Sequence, residues 1–416
     1  MLPRLLATSV IVLLLLTAAQ ADDYLEARAA LVAAYQQQKY PTMLSAARQA
    51  VAARPGYPAA LFNLALAQTL NSDHVGSLET LQILTAKGVD FGATEQDAFA
   101  ALKGLDEWAA YEAGVDDLLA PTGSAEVVAT YPESQFVPEG IAIDNDGELL
   151  IGSIHTGRLV RLSMTPEVLL ERGESWSIFG MRFHADGSLW FASAAVPQLD
   201  GVGDEEGQTG LFRIDASSGD ITRAAILPQY QKAQVLGDLV IADENVLYTT
   251  DSLTGAIYRY YVDSNEFETL IESGRLRSPQ GLALSANGNF LYVADYVSGL
   301  HRVSLQDQSM AKVRVPADVS DYGIDGLYRY GNELIAIQNG SRPNKVLALQ
   351  LDGDGMAVIS SRLLAANLEQ FDEPTLGVVK GDDFYFVANS HWNRFDREHK
   401  LPDGLSGPVI LKLSLN

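Results

Sequence analysis

From residue 125 onward one pattern recurs: a glycine, a short alternating apolar run, a turn rich in Asp, Asn and Gly, and a second apolar run. It reads PEGIAIDNDGELLIGS at Gly140, FGMRFHADGSLWFAS at Gly180, LGDLVIADENVLYTTDS at Gly237, PQGLALSANGNFLYVAD at Gly281, IDGLYRYGNELIAIQN at Gly326 and TLGVVKGDDFYFVAN at Gly377, with 40 to 57 residues between successive glycines. Period-two alternation broken by such turns is the mark of antiparallel strands. A third strand follows in each of the first five units as GRLVRL, GLFRID, GAIYRY, GLHRV and KVLALQ, and the residues left before the next glycine hold a fourth. Six such units predict an all-β six-bladed β-propeller, because radial repetition protects sheet edges. A pair of β-sandwiches would not require six near-equal intervals. The last unit, ending in PVILKLSLN, has no fourth strand, so Glu126 to Tyr131, which precede the first unit, are expected to complete it and close the ring.

The residues ahead of the propeller follow other rules. Arg4, the apolar run Leu5 to Leu16 and the small-x-small triplet Ala19-Gln20-Ala21 predict a signal peptide over residues 1–21, hence a periplasmic or secreted protein. The apolar run is shorter than the ~20 residues of a spanning helix, so no stable membrane span is expected after cleavage. Residues 22–119 are rich in Ala, Leu and Gln at helical spacing, with breaks at Pro41, Pro55-Gly56, Asn71-Ser72 and Lys87-Gly88, which predicts four to six short antiparallel helices. Within them PAALFNLALAQTLNSDHVGSLETLQILTAKG resembles a tetratricopeptide repeat, with Ala65 allowing close helix approach and Leu64, Leu81 and Leu84 filling the seam. EQDAFAALKGLDEW reads as a degenerate third repeat or a cap. The resemblance implies a groove for a protein partner, and plain helical padding accounts for the same residues. Ala120 to Ser124 read as a turn-rich linker, leaving residues 125–416 for the propeller.

Composition narrows the chemistry. Lys and Arg number 29 against 53 Asp and Glu, a formal charge of −24, which opposes binding to nucleic acid and to anionic lipid. With no cysteine, disulfides, thiolate metal sites and a cysteine nucleophile are excluded, and a metal would take oxygen or imidazole ligands. There is no phosphate-binding glycine loop, nucleophile elbow or His-Glu-x-x-His helix.

Propeller topology sorts the remaining candidates by face, because innermost-strand starts and second-to-third-strand loops emerge on the same rim. The strand starts bring Glu139, Phe179, Gly237-Asp238, Gln280, Asp325 and Leu376. The loops bring His155, the acidic insertion Leu199 to Gly207, Asp251, Asp295, Asn339 and Asn389 to Trp392. Carboxylates aimed into a narrow channel repel one another unless a cation lies between them, and hard oxygen ligands suit calcium or magnesium. The same acids could instead cap the channel through backbone N–H groups and water.

On PEGIAIDNDG, GDLVIADENVLYTTDS, SPQGLALSANGNFLYVADYVSGLHRV and IDGLYRY, residues 125–416 resemble the senescence marker protein/gluconolactonase family, within a wider group that includes paraoxonases and strictosidine synthases. The resemblance implies a divalent cation, calcium above all, held by Glu139, Asp238, Gln280 and Asp325. Two positions depart from the family pattern: its Asn-Asp stands here as Gly237-Asp238, and its Asn-Gly-Leu as Gln280-Gly281-Leu282. The implied activity is metal-assisted hydrolysis of a sugar lactone or similar small ester, with Asp325 activating water and His155 or His391 as general base. A non-catalytic ligand- or protein-binding scaffold and a metal-independent, strictosidine synthase-like enzyme are the competing readings.

Overall fold

Residues 23–228 and 233–416 are described by the structure, a computed structural model; the signal peptide expected over residues 1–21 lies outside them. The chain divides into a helical unit ending at Ala120, which also takes in Ala317–Ser320, and a β unit of Pro121–Pro316 and Asp321–Asn416.

The helical unit holds α1 (23–36), α2 (Tyr40–Ala53), α3 (Pro58–Leu70), α4 (His74–Ala86) and α5 (Trp108–Leu119), of which α2, α3 and α4 begin at breaks in the sequence. Pro41 and Pro58 lie in the first turns of α2 and α3, where the missing N–H has no partner to lose. Asp73 caps α4 by accepting the Gly76 N–H at 3.2 Å. Ala65, Leu81 and Leu84 are buried in one core with Phe99, Leu102 and Trp108, whereas Leu64 packs against a separate cluster around Leu31 and Met43. The segment read as a third repeat or cap is a 3-10 turn, Asp97–Gly104, which feeds Phe99 and Leu102 into that core. No described helix is long and apolar enough to cross a membrane.

The β unit is a six-bladed propeller. Each blade is an antiparallel sheet whose strands follow in chain order from the axis outward. The innermost strands are Pro138–Ile143, Ser177–Phe183, Leu236–Ile241, Pro279–Leu284, Ile324–Tyr330 and Gly377–Lys380. The closing strand is present: Glu126–Thr130 pairs with Val409–Ser414, Glu126 opposite Lys412 and Thr130 opposite Val409, so the outer strand of blade six comes from before blade one. The linker is more ordered than its composition suggests. Thr122–Gly123 adds a fifth strand to blade five, opposite Ala365 and Ala366.

The recurring glycine has a steric cause. A Cβ on Gly140 would strike the Phe179 carbonyl oxygen, one on Gly281 the Leu327 backbone nitrogen, and one on Gly326 would lie 2.8 Å from the Thr375 carbonyl oxygen. In each case the obstacle is backbone of the next innermost strand or of the residues leading into it, so the glycines let adjacent blades close on the axis. In blades one to five the pairing register shifts at this point, for example between Pro138 and Ile141 and between Pro279 and Leu282. Such a bulge re-aims the residue before the glycine. Blade three differs from the sequence alignment by one residue. The pairs Leu236–Asp251 and Leu239–Thr249 match Pro279–Asp295 and Leu282–Val293, so Gly237 is equivalent to Gln280, and Asp238 occupies the glycine position.

These contacts yield a stability prediction. A Cβ on Gly237 would meet nothing closer than 3.5 Å, in contrast to Gly281. Gly281→Ala should therefore cost about 1–3 kcal/mol through overpacking. Gly237→Ala should be neutral or add about 0.4–1 kcal/mol. Urea unfolding midpoints at unchanged slope decide this.

Candidate functional site

The bulged strand starts and the loops predicted to share their rim meet in a cavity of about 630 Å³. Its lining includes Glu139, Asp238, Gln280 and Asp325, the four residues expected as ligands, together with Asn339, Glu373 and Trp392. His155 and His391 are not among the lining residues. The His155 ring lies 5.6 Å from that of Phe395, and its Nδ1 is 2.6 Å from the carbonyl oxygen of Gln198, a wall residue. His391 is buried, with Nδ1 3.0 Å from Asp372 Oδ2 and Nε2 3.1 Å from the Ser406 carbonyl oxygen, and it anchors the loop that carries Trp392.

Two of the loop acids take the capping role. Asp251 and Asp295 are fully buried. Asp251 accepts the N–H groups of Val235, Leu253 and Thr254 at 3.1 Å. Asp295 accepts those of Arg277, Ser278, Val297 and Ser298 at 2.5 to 3.1 Å. Their charge is spent on loop backbone. In the acidic insertion, Asp200 pairs with Arg172, Glu205 accepts the Trp176 indole N–H at 3.1 Å, and Glu206 and Gly207 reach the cavity wall.

Glu139 and Asp325 are different. Among the described residues neither forms an ion pair. Burial, then the neighbouring Asp325 charge, pushes Glu139 well above the usual carboxylate range, while the Trp392 indole donating to its Oε2 at 2.7 Å works the other way. Burial also raises Asp325, to about 7, against the opposing pull of the Asn339 amide, whose Nδ2 donates to Oδ2 at 2.8 Å. Glu373, which the sequence reading did not single out, is raised by burial as well and adds to the negative potential at both. The sequence offered only a weak signal for it, an acid in the connection leading to the sixth innermost strand.

Asp238 has an internal partner. Its Oδ1 lies 3.4 Å from Nη2 of Arg182, and its Oδ2 accepts the Leu282 N–H at 3.3 Å. Burial still raises its pKa, so the ion pair offsets only part of the desolvation. The Arg182 guanidinium also lies 5.2 Å from the Tyr328 ring centre. Arg182 and Tyr328 hold equivalent positions, each following the residue that resumes pairing after the bulge, on blades two and five. Those blades face each other across the axis, so the two side chains close the channel below the cavity. The available signal was a cation in FGMRFH at the position where GIAID and GLALS carry alanine.

Residues 177–323 match the model of the SMP-30/gluconolactonase/LRE-like region. That stretch of the propeller is SMP-30/gluconolactonase-like. Among solved structures it is similar to the calcium-binding protein regucalcin from Agrobacterium tumefaciens (17% identity over 71% of this chain and 96% of that one, TM-score 0.50). It is also similar to the PQQ-bound form of aldose sugar dehydrogenase from Streptomyces coelicolor (15%, 71% and 99%, TM-score 0.49), and to virginiamycin B lyase from Staphylococcus aureus (14%, 70% and 99%, TM-score 0.45). At these identities the likeness is one of fold. No curated protein matches the sequence. Glu139 and Asp325, whose sequence motifs resemble that family, lie outside the matched residues.

Two predictions arise from these charges. Removing the cation in Arg182→Met strands a buried carboxylate and should cost about 3–5 kcal/mol. Adding Asp238→Asn should recover most of that loss, as a double-mutant cycle would show. The second concerns pH. An unfolded Asp releases its proton near 4, whereas folded Asp325 holds it to about 7. The folded state binds more protons between those values, so this group's stabilisation is complete below about 4 and is lost as pH rises through about 7. Chemical denaturation in the presence of a chelator should show stability falling over that window, with a shallower slope in Asp325→Asn.

Proposed function

We propose that this chain is an exported, divalent-cation-dependent hydrolase of a lactone or similar small ester, acting at the propeller cavity. One observation carries the reading: Glu139, buried, and Asp325, half-buried, lie side by side without a cationic partner among the described residues and face a cavity large enough for a substrate. Export rests on the pattern of residues 1–21.

The donor chemistry fits a hard cation. Glu139 and Asp325 supply carboxylate oxygens, and Gln280 donates its Nε2 to Ser278 Oγ at 3.0 Å, leaving its carbonyl oxygen for the cavity. Among the described residues no three His, Asp or Glu side chains are grouped closely enough to hold a metal, so amide and water oxygens would complete the set. Asp238, neutralised by Arg182, contributes least. When bound, a divalent cation supplies Lewis-acid polarisation of the carbonyl and a water of lowered pKa.

The chain's own groups then have definite tasks. Asp325, oriented by Asn339, accepts a proton from the attacking water as the water oxygen bonds to the carbonyl carbon. That proton passes to the leaving alkoxide oxygen as the ester C–O bond breaks, giving a hydroxy acid. Burial raises Asp325, and a bound divalent cation would draw it back down, keeping the carboxylate ionised to accept the proton. The Trp392 indole fixes Glu139, and His391 positions Trp392 through the loop.

Calorimetric calcium titration and a lactonase assay with and without chelator test the proposal. Binding and chelator-sensitive turnover are expected in the native protein and should be lost in Glu139→Gln and Asp325→Asn. In Gly237→Asn the Cβ would meet nothing closer than 3.5 Å and the side chain would start 3.8 Å from the Gln280 carbonyl oxygen, so the added amide should tighten cation binding by about tenfold, roughly 1.4 kcal/mol. A folded protein with no cation binding and no hydrolysis overturns the reading.

A further inference from the structure

The cavity carries an apolar side apart from its unpaired acids. Glu139, Asp325, Asn339 and Gln280 come from blades one, four and five, whereas Phe179, Val196, Val235 and Leu253 come from blades two and three, which also contribute the polar Gln198, Glu206, Gln234, Asp238 and Ser252. Trp392 reaches over from blade six, its ring centre 6.3 Å from that of Phe179.

Folding accounts for most of this apolar side but not for Leu253. Its backbone N–H is held by Asp251, as the turn requires, yet its side chain is 59% exposed at the rim of the cavity. A turn position that any polar residue could fill carries a large apolar side chain facing the space where a ligand would lie. The volume points the same way. About 630 Å³ falls in the range that encloses drug-sized ligands and exceeds what a single small ring needs. A polyhydroxylated ring seated against Phe179, Val196 and Val235 would meet no side-chain hydrogen bonds from those three and would pay the desolvation of each hydroxyl set against them.

We infer that the substrate is an amphipathic ester or lactone, with its carbonyl at Glu139 and Asp325 and an alkyl or aryl substituent against Phe179, Val196, Val235, Leu253 and Trp392. This assignment rests on the hydrolase reading and narrows its substrate class from sugar lactones to apolar-substituted ones. The aromatic pair packs against the part of the substituent nearest the carbonyl, and Leu253 covers its outer end.

The test uses the full-length protein and δ-valerolactones carrying alkyl chains of increasing length beside the ring oxygen, with glucono-δ-lactone for comparison. Expected is a rise in kcat/KM of about fourfold per methylene until the apolar side is filled, with glucono-δ-lactone the poorest substrate. Leu253→Ser and Val196→Ser should flatten that rise. Preference for glucono-δ-lactone, or a flat series in the native protein, overturns the inference while leaving a hydrolase. In parallel, equilibrium dialysis with 2-alkylcyclohexanones, which present a carbonyl but cannot be hydrolysed, reads binding alone. Affinity that climbs with chain length in a protein without lactonase activity supports the amphipathic site and removes the hydrolase reading; flat ketone binding overturns the amphipathic site.

Discussion

Adjacent innermost strands approach so closely around the propeller axis that no Cβ fits between them at Gly140, Gly281 and Gly326. Much else depends on that approach. It forces glycine into the repeat, the accompanying bulge turns the preceding residue toward the channel, and five blades thereby deliver Glu139, Phe179, Gly237, Gln280 and Asp325 to a ring that Leu376 of blade six completes. The side chain delivered at each blade is free to vary, because strand closure depends on the glycine beside it. Binding chemistry can therefore change from blade to blade on an unchanged frame.

Blade three shows what happens when the rule is broken. With Asp238 in the glycine position, the carboxylate is pressed against Gly180, whose own lack of a side chain makes room for it: a Cβ there would lie 2.8 Å from the Asp238 Cα. A buried acid so placed needs a cation, and Arg182 supplies it from blade two. The guanidinium then spans to Tyr328 and fills the axis. One departure from the repeat thus accounts for the closed channel floor, and it separates Asp238 from Glu139 and Asp325 in electrostatic terms. The latter pair is left with hydrogen bonds from Trp392 and Asn339 but no countercharge among the described residues.

The fold was legible in the sequence because its causes are local and repeated. Glycine spacing, Asp-Gly turns and alternation each report one blade, and the unmatched strand before the first blade implied closure, which the pairing of Glu126 with Lys412 displays. The ring of strand-start residues was legible for the same reason. Residues whose placement depends on one particular loop or on contacts across the axis were not. Glu373 enters from a connection of no repeating form, Arg182 acquires its meaning only opposite Asp238 and Tyr328, and nothing in NSHWNRFD indicates that Trp392 rather than His391 faces Glu139. The one-residue slip in blade three has a simple origin. Gly237 imitates the repeat in sequence, while the ladder is set by the apolar residues Leu236 and Leu239 that flank the bulge.

The balance of charge also bears on how the proposed reaction would finish. A neutral ester brings no charge of its own to the acids of the cavity, so the ground state adds no repulsion. Hydrolysis replaces that neutral group by a carboxylate beside Glu139, Asp325 and Glu373, in surroundings of low dielectric where like charges repel strongly. Arg182 cannot relieve this, since it is committed to Asp238; of the groups proposed here only the divalent cation would, by attracting the product carboxylate. Release becomes a contest between repulsion from the acids on one side and the cation and the apolar contact with Phe179 and Leu253 on the other, and it slows as the substituent lengthens.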